Sequence, residues 1–187
     1  MDAILYWNEV SLEANRVSHT NGTGEQTGPT LSSRALAIVH LAVYDAFAGV
    51  SGNPPDLPHY LTPGPVPGAS VDAAVAAAAH ATLSSLFPSQ APFFDLILAG
   101  AGDPSDPGHA FGLTVAQQIL ADRAGDRNAS ASGYVTSPAR GRHRPDPDNP
   151  GQGFHAPFYG AQSKGFAITA RHELAAPPST TMSIRMR

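Results

Sequence analysis

The chain has 187 residues and a formal net charge of −4, and only 14% of its residues are charged. This length is sufficient for one domain with a real hydrophobic core. The chain contains no cysteine, which excludes disulfides, thiolate metal sites and cysteine nucleophiles without fixing the compartment. Its start, MDAILYWNEV, has an acidic residue where a signal peptide needs a basic one. We expect no signal peptide and leave the localisation open, with the cytoplasm as the default.

The charge is distributed unevenly along the chain. Residues 1–125 contain three Arg and eleven Asp or Glu, a net charge of −8. Residues 126–187 contain seven Arg and one Lys against four acidic residues, a net charge of +4. A basic segment can seek an acidic surface, an anion or nucleic acid. We expect this segment to lie on the acidic first part, because it lacks the aromatic interleaving and sustained basic run of a nucleic-acid binder.

The first apolar pattern predicts a helix near the start of the chain. Asp2 is the expected N-cap of this helix, and a glycine-rich turn region follows at residues 20–30. The residues expected on its buried face recur at spacings of four and three, as one helix face requires: Ala3, Trp7, Val10, Ala14 and Val17.

The longest apolar stretch runs from Leu31 to Val50, and from residue 35 onward only His40, Tyr44 and Asp45 interrupt it. A surface helix would show a polar stripe, whereas this segment is apolar almost all round. A membrane span needs about 20 apolar residues, but this run is shorter and contains His40 and Asp45. A buried helix at the centre of a soluble bundle is therefore the better interpretation. The residues predicted to lie in its core are Leu36, Val39, Val43 and Phe47.

Three further helices are predicted after a proline-rich loop or strap at residues 51–68. Ser70 is expected to cap an alanine-rich third helix that Pro88 stops. Ser89 is expected to cap a short fourth helix with Phe93, Phe94, Ile97 and Leu98. Asp106-Pro107 combines a cap with proline at the first helical position, which predicts a fifth helix closed by Gly125.

After residue 125 the chain changes character, since residues 126–160 are rich in proline and glycine and only Phe166–Leu174 could form another short helix. A loop this long is unusual within a compact domain. No strand pattern of period two and no internal repeat is found in the sequence. The predicted fold is therefore all-α: a helical bundle at residues 1–125 around a buried central helix, followed by a loop-rich segment at residues 126–187.

Several segments resemble the N-terminal half of vanadium-dependent haloperoxidases, within the wider phosphatidic-acid-phosphatase type 2 family. The most specific are ILYWNEVSLEANRVSHT (residues 4–20) and GPTLSSRALAIVHLAVYDAF (28–47). VAQQILADRAGD (115–126), HAPFYG (155–160) and TARHELAAPP (169–178) fit the same pattern. The resemblance implies two helix bundles and bound vanadate that activates hydrogen peroxide to oxidise a halide.

The same resemblance implies that the vanadate residues belong to the second bundle. In that family they follow Lys-x6-Arg-Pro, then Pro-Ser-Gly-His, then a later Arg and His. Vanadate requires a cluster of positive side chains and a histidine nitrogen, and we expect this chain to end before those motifs begin. We therefore assign no catalytic, cofactor-binding or metal residue and predict that the chain alone is inactive.

Three stretches of the sequence resemble known binding motifs, but each departs from its motif at one or more required positions. Lys164 and Arg171 have the Lys-x6-Arg spacing, but His172 stands where proline should be. Asp106-Pro107-Gly108-His109 lacks the serine of Pro-Ser-Gly-His and is read as a helix start. The calcium-like run Asp146–Gly151 has Pro150 at a ligand position and is read as a turn.

His40, Tyr44 and Asp45 could form a proton relay, but we expect a satisfied buried polar cluster instead.

Two hypotheses follow. The favoured one is an N-terminal scaffold whose partner is a missing catalytic bundle, in the same protein or on a second chain, with vanadate as the cofactor of the whole. The alternative is a stand-alone helical binding or assembly module that pairs with itself or another chain. Neither involves nucleic acid or a membrane. The halide, the organic substrate and the choice between peroxidase and phosphatase activity stay open.

Overall fold

The computed structural model of the chain describes residues 2–56, 58–125, 137, 139–141, 144, 147–148 and 164–166. The chain divides into two compact units, Met1–Ala124 and Gly125–Arg187, and nearly all described residues belong to the first. The helix predicted at Phe166–Leu174 lies outside the described residues except at its first position.

The described part of the chain is all-α, which confirms the predicted fold class. It contains no β-strand, and a 3₁₀ turn at Pro88–Gln90 joins its third and fourth helices. The five α-helices are α1 (Ala3–Ser18), α2 (Pro29–Val50), α3 (Val71–Leu86), α4 (Ala91–Ala101) and α5 (Pro107–Asp122).

Three helix starts are capped as the sequence predicts. The Asp2 carboxylate accepts a hydrogen bond from the backbone N–H of Leu5 at 3.1 Å, and Ser70 caps α3 through its hydroxyl. The Asp106 carboxylate accepts from the N–H of Gly108 at 2.7 Å. Such caps satisfy N–H groups that have no partner within the helix.

The predicted cap at Ser89 is wrong. Ser89 lies inside the 3₁₀ turn, and α4 begins at Ala91 without a side-chain cap. The backbone N–H and hydroxyl of Ser89 donate to the Glu25 carboxylate at 2.7 and 2.8 Å. A residue 64 positions away therefore holds the start of this turn.

The buried central helix of the bundle is α3, not the segment Leu31–Val50. Seven consecutive residues, Ala73–Ala79, are buried, and α3 packs against each of the other four α-helices. By contrast, α2 packs on α3, α5 and α1 but makes little contact with α4. Alanine side chains are short enough to let neighbours approach a helix from every direction, so the alanine-rich helix takes the centre.

The core positions of α2 are only partly as predicted. Val39 and Val43 are buried, whereas Leu36 and Phe47 are half-buried. Removing the Phe47 ring should therefore cost less than the about 3–5 kcal/mol of a fully enclosed ring. By length and composition alone α2 could span a membrane, but 56% of its most apolar window is buried inside the protein, as in a core helix.

The contact between α3 and α5 depends on glycine. Gly108 and Gly112 lie one turn apart on α5 and face the backbone of α3. A Cβ atom on Gly112 would lie 2.9 Å from the Cβ of Ala77 and 3.0 Å from the nitrogen of Ala78, and it would collide with the carbonyl oxygen of Ala74. The two helix backbones are thus too close for any side chain at this position.

We predict that Gly112→Ala destabilises the protein by about 1–3 kcal/mol, because the added methyl group overpacks the interface. Gly100→Ala is the matched control, since Gly100 also lies in a helix but has open space around its Cβ position. The control should be neutral or stabilising by up to about 1 kcal/mol, as expected from helix propensity. Urea denaturation followed by circular dichroism measures both, and equal free energies of unfolding would contradict the close-contact account.

Candidate functional site

Asp45 is the most deeply buried carboxylate that the sequence singled out. Its side chain is inaccessible to solvent and accepts hydrogen bonds from three consecutive backbone N–H groups of the segment after α2. The bonds come from Tyr60, from Leu61 at 2.8 Å and from Thr62 at 2.9 Å. We call residues 51–69, which join α2 to α3, the strap.

This arrangement gives Asp45 a structural role. A carboxylate is an acceptor with about four lone-pair sites, and three of them meet peptide N–H groups here. Burying a charged group is costly unless it is hydrogen-bonded, and the strap supplies the bonds. Thr62 then donates its hydroxyl hydrogen to Gln118 at 2.8 Å, which ties the strap to α5 as well.

The expected buried cluster of His40, Tyr44 and Asp45 does not form. The Tyr44 hydroxyl donates to the carbonyl oxygen of Pro58 at 2.7 Å, in an exposed bond to the strap. His40 is exposed on α2, and partial desolvation lowers the pKa of its imidazole. Tyr44 and Asp45 therefore bind the strap separately, and the proton-relay interpretation has no support.

Two buried arginines were not singled out from the sequence. Arg34, at the start of α2, is 7% exposed, and Arg123, at the end of α5, is 2% exposed. The guanidinium of Arg34 donates to the backbone carbonyl oxygen of Arg123 at 2.7 Å. This bond joins two helix ends that are 89 residues apart in the sequence.

The buried arginine of α2 and a histidine of α3 bind groups of the bundle itself. Vanadate needs several converging cations and a histidine nitrogen, but the guanidinium of Arg34 donates to a peptide oxygen. The ring of His80 is paired with Asp95 at 2.7 Å. In the described ranges no three His, Asp or Glu side chains are grouped as a metal site.

The Lys-x6-Arg spacing is not tested by the structure. Lys164 is exposed, and Arg171 lies outside the described residues. The same holds for most of the calcium-like run at residues 146–151, of which only Pro147 and Asp148 are described.

The large exposed apolar side chains of the described chain are concentrated on two helices. Leu5 and Leu12 on α1 are 66% and 51% exposed, and Phe93 and Leu96 on α4 are 47% and 76% exposed. Single exposed apolar residues are normal on a protein surface, but a contiguous patch marks an interaction site.

A groove between α1 and α4 connects three of these side chains, Leu12, Phe93 and Leu96, and we call it the α1–α4 groove. One part, of about 570 Å³, is lined by Tyr6, Phe93 and Ile97 among others. The adjoining part, of about 600 Å³, shares these three residues and adds Glu9 and Glu13. The groove therefore combines an apolar lining with charged groups on the α1 side, where Arg16 pairs with Glu13.

The outer surface of α1 carries a second stripe, opposite its buried face. We call it the outer stripe, and its spacing of four, three and four is the same periodicity that identified the buried face. This periodicity could have revealed the outer stripe from the sequence alone. The stripe consists of four exposed residues: Leu5, Glu9, Leu12 and Arg16.

Together these features define a small helical bundle whose deeply buried polar groups mostly bind its own backbone. Comparison with known proteins agrees with this class. A family model described as the vanadium chloroperoxidase N-terminal domain matches residues 1–102. That range contains α1 to α4.

A curated relative extends the comparison beyond the bundle. The vanadium chloroperoxidase of Curvularia inaequalis is 36% identical over 225 aligned positions, which include 94% of this chain and 37% of the relative. The chain thus spans little more than a third of the length of that relative. The chain belongs to the vanadium chloroperoxidase N-terminal domain family, which confirms the resemblance found in the sequence.

We predict that Asp45→Ala destabilises the protein by about 2–4 kcal/mol, because three backbone N–H groups, one of them in the buried Thr62, would lose their acceptor. Tyr44→Phe is the matched control, since it removes one exposed bond to the same strap and should cost less than about 1 kcal/mol. Urea denaturation gives the free energies, and limited proteolysis should show faster cleavage within residues 51–69 for Asp45→Ala only. A stable variant with an intact strap would mean that the carboxylate does not hold this segment.

Proposed function

We propose that the chain is the N-terminal helical scaffold of a vanadium-dependent haloperoxidase-like protein. The observation that carries the proposal is the family match over residues 1–102, taken together with the way that the bundle uses its deeply buried polar groups. Halide oxidation by peroxide at bound vanadate then belongs to the assembled protein, and the vanadate ligands belong to a catalytic bundle in the same protein or on a second chain.

The use of polar groups in the bundle supports a scaffold role. Gln26 donates from its amide to the carbonyl oxygen of Leu86 at 2.9 Å, and Gln90 donates to that of Ala14 at 2.9 Å. Both glutamines are largely buried. They connect a loop and a turn to the backbone of a helix, whereas Asp45 connects a helix to the backbone of the strap. These bonds rigidify the bundle and leave less bonding capacity for a substrate.

A second candidate function is an assembly module without catalysis. The α1–α4 groove favours it, because Leu12, Phe93 and Leu96 line the groove and remain 51%, 47% and 76% exposed. In either function, the bundle acts by packing against another protein surface.

We predict that the purified 187-residue chain does not halogenate a phenol-type indicator dye with vanadate, bromide and hydrogen peroxide above the vanadate-only background. The physical reason is that vanadate needs converging cations and a histidine held within about 0.5 Å of a productive geometry. Turnover above background that Lys164→Ala abolishes would contradict the scaffold proposal and would give the Lys164/Arg171 spacing a catalytic meaning.

The two candidate functions are separated by the coding sequence downstream of Arg187. Translated in all frames, it should contain Lys-x6-Arg-Pro and Pro-Ser-Gly-His if the chain is the scaffold of a haloperoxidase-like protein. Their absence there, together with an inactive chain, would favour the assembly module.

A further inference from the structure

We propose that the outer stripe of α1 pairs with the same stripe of a second copy of this chain, antiparallel and about a two-fold axis near Leu12. The inference goes beyond the proposed function, since it assigns an interface and an oligomeric state to the bundle itself. It stands on the exposure of the stripe, on the groove beside it and on the order of its charges.

The stripe has the geometry of a helix–helix contact. At 3.6 residues per turn, Leu5, Glu9, Leu12 and Arg16 fall within an arc of about 60°. All four are exposed, and Leu5 and Leu12 remain 66% and 51% accessible. Leu5 and Leu12 are seven residues apart, so they fall on the same side of α1 after two turns.

The α1–α4 groove adds room for side chains of a partner. Leu12 and Arg16 line the groove at the edge of the stripe, together with Phe93. Phe93 is 47% exposed and lines both parts of the α1–α4 groove. A second α1 helix laid along the stripe would cover Leu12 and shield part of the Phe93 ring from water, which supplies the apolar gain of association.

The charges of the stripe select both the partner and the register. In an antiparallel pair of identical helices, the sequence numbers of any two residues that face each other add up to the same value. If Glu9 faces Arg16 of the second copy, then Leu12 lies beside Leu12 of that copy near the axis, and Leu5 extends past the end of the partner helix at Ser18. A two-fold contact is self-complementary, so both ion pairs form at once.

A competing register would place Leu5 against Leu12 of the second copy, but it would also bring the two Glu9 carboxylates together. Like charges that face each other are unfavourable. The order of leucine, acid, leucine and base along the stripe therefore favours the register that pairs Glu9 with Arg16. In the free chain, Arg16 binds Glu13 through two bonds of 2.7 and 2.6 Å, an exposed pair that contributes little to stability.

The test measures the association of the full 187-residue chain by light scattering and sedimentation over a range of concentrations. The expected result is a monomer–dimer equilibrium, with association weakened about tenfold or more by Leu12→Ser. Glu9→Arg and Arg16→Glu should each weaken association by about fivefold or more, because each places like charges across the axis. The double variant should return to within about threefold of the wild-type dissociation constant, since it restores both pairs with reversed signs.

Gln117→Arg is the control for a change of charge elsewhere, because Gln117 is exposed on α5, a helix that packs mainly on α3 and α2. It should leave association unchanged. Circular dichroism checks that each variant stays folded. A chain that is monomeric at every concentration, whether its stripe is open or covered by another part of the same chain, would overturn the proposal. A dimer that is insensitive to Leu12, or one that the double charge reversal does not rescue, would overturn it too.

Discussion

The bundle depends on the close approach of α3 and α5. Where Gly112 meets Ala74 and Ala77, no atom beyond the backbone fits on the α5 side. Short side chains on both helices turn this contact into backbone-to-backbone packing, in which many weak dispersion contacts act together. The other helices then arrange themselves around α3, whose residues 73–79 are buried all round.

Polar side chains add hydrogen bonds that hold the loops against the packed helices. Glu25, Gln26 and Gln90 bind backbone groups 60 or more positions away in the sequence. Asp45 binds the strap that follows its own helix. These bonds hold the loops and the 3₁₀ turn against the rest of the bundle. A loop fastened in this way adds rigidity without a larger core. A bundle made rigid in this way suits the proposed role of presenting a fixed surface to a catalytic bundle, since a site on a rigid support keeps its geometry.

The sequence predicted the elements of the fold better than their arrangement. The caps at Asp2, Ser70 and Asp106 follow from local chemistry, so they could be read from a few residues. The central helix was assigned to residues 31–50 because that segment is apolar almost all round. Centrality depends instead on how closely neighbours can approach, which favours alanine. The Ser89 cap failed because Glu25, 64 positions away, takes its N–H.

Some of the features that bear on function could be predicted from the sequence, and others could not. The family could be identified from residues 4–47, and the exposed stripe on α1 shares the periodicity that revealed the buried face. The partner of Asp45 could not be read from the sequence, since nothing in residues 60–62 marks their N–H groups as its donors. The bond between the buried Arg34 and the end of α5 likewise depends on the tertiary fold.

Native-state hydrogen exchange tests most directly whether the bundle is built on α3. The account predicts that the slowest-exchanging amides lie in Ala73–Ala79 and in the facing part of α5, and that they exchange only through global unfolding. Amides on α4, which exposes Phe93 and Leu96, should exchange faster through local opening. Slowest exchange in α2, with α3 opening below the free energy of global unfolding, would contradict the account.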